Sequence, residues 1–106
     1  DPFLARVCAR IEERLPAPLP LRALARELAV SESHLRNRFR QAMGARVGTY
    51  IRRARLHRAC ALMRGSDATL SEIAAACGFD SIYAFSRCFK TEYRLAPSDW
   101  RKRKDG

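Results

Sequence analysis

Residues 69–90, TLSEIAAACGFDSIYAFSRCFK, decide the fold. Thr69-Leu70-Ser71-Glu72 has the T-x-x-E form of a capping box, which opens a helix by satisfying orphaned backbone N–H groups at its start. Leu70, Ile73, Ala74 and Cys77 then recur at helical spacing. Gly78 opens a turn, and Asp80 or Ser81 is placed to cap a second helix. Phe85 and Phe89, four residues apart, give that helix an inner face. Ala74 is small enough for two steeply crossed helices to touch, and Phe79 plugs the corner between them. The stretch reads as helix, short turn, helix.

The pattern occurs twice. An offset of 49 carries Leu21, Leu24, Ala25, Leu28 and Val30 onto Leu70, Ile73, Ala74, Cys77 and Phe79. With one residue added in the turn, Ser31, Leu35, Phe39 and Arg40 fall on Ser81, Phe85, Phe89 and Lys90, and Val47 and Tyr50 on Pro97 and Trp100. An internal repeat of this kind marks two copies of one supersecondary unit. In each copy the second helix commits one face to two large apolar anchors and leaves the other free. The free face of the first is Ser33, Arg36, Asn37 and Arg40; that of the second is Tyr83, Ser86, Arg87 and Lys90. Arg suits a guanine edge, Asn an adenine edge, and a terminal cation suits phosphate.

The rest of the chain is also helical in pattern, with no sustained two-residue alternation, so the fold class is all-α. Pro2 suits a helix start, and Phe3, Leu4, Val7, Cys8, Ile11 and Leu15 form a stripe stopped by Pro16, Pro18 and Pro20. Gly44 suits the end of the helix after Ser31. A long central helix is predicted from about Val47 to Met63, closed by Gly65, with Val47, Tyr50, Ile51, Ala54, Leu56, Ala59, Cys60, Leu62 and Met63 inward. Its roughly 17–19 residues span about 26–28 Å. A last short helix begins at Pro97, and the tail Arg101-Lys102-Arg103-Lys104 is expected to fray.

Charge narrows the partner. The 106-residue chain carries a net charge of +10, and 18 of its 21 basic residues are Arg. Between Ser33 and Ser66 there is no Asp or Glu but there are nine Arg. A solvated helical face mixes both signs, so this acid-free stretch reads as a surface for a polyanion. Cys8, Cys60, Cys77 and Cys88 lack metal-binding spacing and sit in apolar patterns, so no zinc or other cofactor is expected, and the four are read as buried free thiols. His34 and His57 have no carboxylate partner nearby in sequence; His34 is placed beside the groove and His57 on the solvent side of the central helix. With no catalytic set and no Gly-rich phosphate loop, the chain is not read as an enzyme. No apolar run is long enough to span a membrane, and the apolar stripes serve a compact core instead of a membrane surface. A basic helical RNA- or ribosome-binding protein would explain the charge, but not a repeat with two capped reading helices.

On these residues the chain resembles the DNA-binding domain of AraC/XylS-type bacterial transcription regulators. The resemblance is carried by residues 73–79, IAAACGF, residues 85–90, FSRCFK, and residues 97–101, PSDWR. Residues 50–56 and 35–39 add to it, and coverage is essentially the whole chain. It implies seven helices in two helix-turn-helix subdomains, residues 1–46 and 65–106, joined by a linker helix at 47–64. It implies recognition helices at about 31–43 and 81–93 in successive major grooves of double-stranded DNA. Base-reading positions map onto Ser33, Arg36, Asn37, Ile82, Tyr83, Ala84 and Arg87, and phosphate contacts onto Arg40, Arg52, Arg55 and Lys90. Activation of transcription, RNA polymerase as a partner, a preceding effector or dimerisation domain, and a cytoplasmic, nucleoid-associated location are further implications. The opening Asp1-Pro2, without an initiator Met, fits a piece of a longer protein. Two positions depart from the family pattern: Asn37 stands where Arg is frequent, and Arg94 where Gly is frequent. A left-handed Arg94 would cost about 1 kcal/mol.

Overall fold

The computed structural model describes residues 1–15 and 17–103. Seven α-helices follow one another: α1 (Pro2–Arg14), α2 (Leu21–Glu27), α3 (Glu32–Met43), α4 (Val47–Gly65), α5 (Leu70–Ala76), α6 (Ile82–Tyr93) and α7 (Pro97–Lys102). No strand occurs among the described residues. The chain divides into two compact units, Asp1–Ile51 and Arg52–Gly106. The boundary falls inside α4, so its first turns belong to the first unit and the remainder to the second.

In the first unit, the Asp1 carboxylate caps α1 by accepting the Phe3 N–H at 3.0 Å. The helix stops at Arg14, with Leu15 extended as its C-cap; the expected stop residue Pro16 lies outside the described residues. The core gathers Val7 and Ile11 of α1, Leu24 and Ala25 of α2 with the following Leu28, Leu35 and Phe39 of α3, and Val47 of α4. The Phe39 and Tyr50 rings meet edge to face at 5.5 Å. Full burial of a side chain the size of Phe39 is worth about 1.5–3 kcal/mol.

The second unit has the same plan. Leu56, Ala59 and Met63 of α4 stand where the α1 stripe stands in the first, against Ile73, Ala74, Cys77, Phe85 and Phe89. Pro97 is buried as Val47 is. Trp100 meets Phe89 edge to face at 5.7 Å, as Tyr50 meets Phe39.

The repeat extends to the backbone of the turns. After α2, Val30 N–H donates to Ala25 O at 3.0 Å and Ala29 N–H to Arg26 O at 3.1 Å. After α5, Phe79 N–H donates to Ala74 O at 3.0 Å and Gly78 N–H to Ala75 O at 3.1 Å. These paired bonds close both helices in the same way, through a left-handed residue just past the C-cap. That residue is Ala29 with φ 59° in one unit and Gly78 with φ 87° in the other.

Two expectations are corrected. Of the four free cysteines only Cys77 is buried; Cys8, Cys60 and Cys88 are half-buried. They stand at the margins of their stripes, one position from the fully buried Val7, Ala59 and Phe89. Burial pushes the Cys60 and Cys77 thiols up, so both stay protonated near neutral pH. The basic tail does not begin at Arg101. That residue is helical, and its guanidinium donates through Nε to Met63 O at 3.2 Å, Nη1 to Ala68 O at 2.6 Å and Nη2 to Ser66 O at 2.7 Å. Helix carbonyls at a C-terminus lack intrahelical partners, and Arg101 supplies donors to the end of α4 and the loop beyond it. Lys104 lies outside the described residues.

Candidate nucleic-acid interface

Each candidate reading helix is started by a serine. The Ser31 hydroxyl accepts the His34 N–H at 3.1 Å and the Ser81 hydroxyl accepts the Ala84 N–H at 3.0 Å. A side-chain cap here fixes where the helix begins, and with it the rotation of every following residue. In α3 that rotation sends Leu35 and Phe39 fully into the core. Ser33, Arg36, Asn37 and Arg40 are all exposed. In α6 it buries Phe85 and Phe89 and leaves Tyr83 77% exposed, an unusual position for a large ring. Arg87 and Lys90 are exposed, while Ile82, Ala84 and Ser86 are half-buried beside them.

The charged groups on these faces differ in how far they are committed within the protein. Arg36 faces Glu32 one turn earlier at 3.6 Å, with both side chains largely in solvent. Such an exposed pair is worth a few tenths of a kcal/mol and yields readily to another acceptor. Arg38 is held: its Nη2 reaches both Asp1 carboxylate oxygens at 3.1 and 3.2 Å, and its guanidinium lies 4.7 Å from the centre of the Phe3 ring. It therefore ties α3 to α1. Among the described residues no ion pair involves Arg40, Arg87 or Lys90.

The α4 arginines expected at phosphates are already engaged within the protein. Arg52 is exposed and Arg55 half-buried. Neighbouring Arg53 is paired with Glu92 at 3.1 Å. His57 is exposed on α4, and His34 is exposed on α3 with its ring 5.9 Å from that of Phe3. No metal-binding group of side chains occurs among the described residues.

Sequence reasoning did not place Arg94 in this setting. It lines an open groove with Arg87, Lys90 and Thr91 at the end of α6. The available signal was its repeat partner: Gly44 holds the same position after α3, and both residues are left-handed.

Two units that each cap, bury and expose the second helix of a helix–turn–helix in the same way define a tandem helix-turn-helix protein. A family profile described as a helix-turn-helix domain matches residues 24–103. Over 101 residues, 95% of the chain, the sequence is 33% identical to the HTH-type transcriptional activator RhaR of Escherichia coli (strain K12). The match covers 36% of RhaR, so the chain spans about a third of the length of the curated relatives it matches. Among solved structures it is similar to the DNA-binding domain of the global transcriptional factor AdpA in complex with a target DNA. The TM-score is 0.86 at 28% identity, covering 92% of this chain and 88% of that one. A regulator with an AraC-type DNA-binding domain from Chromobacterium violaceum gives a TM-score of 0.90 at 28% identity, over 94% of this chain and 89% of that one. The chain belongs to the AraC-type helix-turn-helix DNA-binding domain family.

Proposed function

We propose that this chain binds double-stranded DNA in a sequence-specific way, placing α3 and α6 in successive major grooves as part of a bacterial transcription regulator. The observation that carries the reading is the pair of exposed polar faces opposite fully buried phenylalanines, one in each unit. Ser33, Arg36 and Asn37 read bases in one half-site. Ile82, Tyr83, Ala84 and Arg87 read the other. Arg40 and Lys90 hold phosphates, with Arg52 and Arg55 as further phosphate contacts once they exchange their internal partners. The likeness to AdpA, whose domain was solved on a target DNA, supports this reading.

RNA polymerase as a partner, activation as the output and an effector or dimerisation domain elsewhere in the protein belong to the same proposal. RhaR, named as a transcriptional activator and longer than the matched segment, supports the activation and the further chain. A nucleoid-associated, cytoplasmic location and the absence of catalysis also belong to the same proposal. No helix among the described residues is long and apolar enough to cross a membrane.

Selection of bound duplexes from a random pool tests the reading, with a bipartite site as the expected result. Equal competition by structured RNA would overturn it. Within the selected site, Arg87→Ala is expected to weaken binding by about 1–3 kcal/mol and relax preference at one base pair. Equal losses on selected and random duplexes would remove Arg87 from the base-reading set.

A further inference from the structure

We propose that the exposed face at the C-terminal end of α6 is a backbone phosphate site in which Arg94 is a DNA contact. The inference rests on the DNA-binding reading of the second unit and adds a residue to it. Arg87, Lys90, Thr91 and Arg94 share one open face at the end of α6. The three cations stand at i, i+3 and i+7, which places them along one side of α6 over roughly 10 Å of its axis. All three are exposed, and among the described residues none is in an ion pair. The Thr91 hydroxyl donates to Arg87 O at 2.9 Å, so the free donors on this face are the cations.

Strain is the second observation. Arg94 has φ 62° and ψ 23°, a left-handed conformation that glycine adopts without cost and a residue with a Cβ does not. Stopping the helix does not require the side chain. Arg94 N–H donates to Lys90 O at 2.8 Å, and Gly44 N–H makes the equivalent bond to Arg40 O at 2.9 Å without one. Nor does the guanidinium cap a carbonyl of α6 among the described residues. A cation near a helix C-terminus is mildly favourable, but Lys90 already fills that role in the last turn. Ala29 shows the same backbone strain with only a methyl group, so what sets Arg94 apart is a long, exposed guanidinium that can reach a ligand. A guanidinium at this place, beside Lys90 and two turns beyond the base-reading Arg87, matches a phosphate, which it grips with two parallel N–H donors. The carbonyl end of α6 alone would repel that anion, so the site depends on its cations.

The test compares duplex binding across salt for the chain and for Arg94→Gly, Arg94→Lys and Lys90→Ala. Arg94→Gly is expected to raise the Tm yet bind selected and random duplexes more weakly. Its plot of log affinity against log salt should be shallower by about 0.9, so it loses roughly threefold less affinity between 50 and 200 mM salt. Arg94→Lys should keep the slope. An unchanged slope for Arg94→Gly, with a shallower one for Lys90→Ala, overturns this site and leaves the DNA-binding reading intact. A lowered Tm for Arg94→Gly overturns the strain argument, since the side chain would then be stabilising the fold. Absence of salt-dependent duplex binding by the unmodified chain overturns both.

Discussion

Ala29 and Arg94 are the non-glycine residues with positive φ among the described residues, and the internal repeat sets a glycine opposite each. Ala29 corresponds to Gly78 and Arg94 to Gly44, so each unit carries one relaxed and one strained turn. Ala29 is exposed, and the turn bonds are made by its backbone. Replacing Ala29 with Gly is therefore expected to stabilise the first unit by about 1 kcal/mol. The reverse change at Gly44 isolates the same quantity, because a Cβ there meets nothing within 4 Å. Gly44→Ala should cost about 1 kcal/mol through backbone conformation alone. Urea denaturation reads both, and a destabilised Ala29→Gly would show that the methyl group has a role its exposure does not suggest. The Arg94 exchange was legible as a departure from the family pattern. The strain at Ala29 was not, because alanine in a tight turn carries no local mark of which conformation it adopts.

At the scale of elements, α5 is held at its start and α4 at its end by side chains far apart in type. The capping box expected at Thr69 forms: Thr69 N–H donates to Glu72 Oε1 at 2.8 Å, and Glu72 N–H donates to Thr69 Oγ1 at 3.1 Å. The Thr69 backbone bond, helped by its side chain, holds the Glu72 carboxyl below its ordinary pKa of 4.5. A carboxyl lowered in the folded state favours folding above its ordinary pKa and loses that contribution as pH falls through the lowered value. Glu72→Gln should therefore flatten part of the acid limb of the stability profile, read by thermal melts on either side of that range. At the end of α4, Arg101 gives three donors to three carbonyls from Met63, Ser66 and Ala68. Arg101→Ala should cost about 2 kcal/mol in urea denaturation. Arg101→Lys should recover little, since one ammonium cannot span the three acceptors. A full rescue by Lys would reduce the role of Arg101 to its charge. The residues 97–101 were legible as a family motif, but the partners of Arg101 lie 33 to 38 positions away, beyond the reach of any local pattern.

Across the whole molecule, a net charge of +10 supplies a general attraction for DNA. The structure separates cations held by several contacts within the protein, Arg38 and Arg101, from those on the candidate reading faces. Arg40 belongs to the second group. Arg40→Ala is expected to weaken binding to all duplexes alike and to lower the salt slope by about 1 unit, as measured by titrations at several salt concentrations. An unchanged slope would remove Arg40 from the phosphate set. The comparison with Arg87→Ala then separates positioning from base reading, since only the latter depends on sequence.

Much of this protein was legible from residues 69–90 and their earlier copy. The count of seven helices was implied by the family resemblance. Helical spacing, serine and threonine caps, and two phenylalanines or their equivalents four apart were enough to read two helix-turn-helix units and the two exposed faces. These are properties of neighbours along one helix, where the 3.6-residue period ties sequence position to direction. Three features depended instead on residues distant in sequence or on backbone angles that side-chain identity does not encode. They are the commitment of Arg38 to Asp1 and Phe3, the anchoring of Arg101 beneath α4, and the strained turn that sets Arg94 beside Lys90. Eighteen arginines look alike in a sequence. Packing decides which guanidiniums are satisfied within the fold and which remain exposed for a partner.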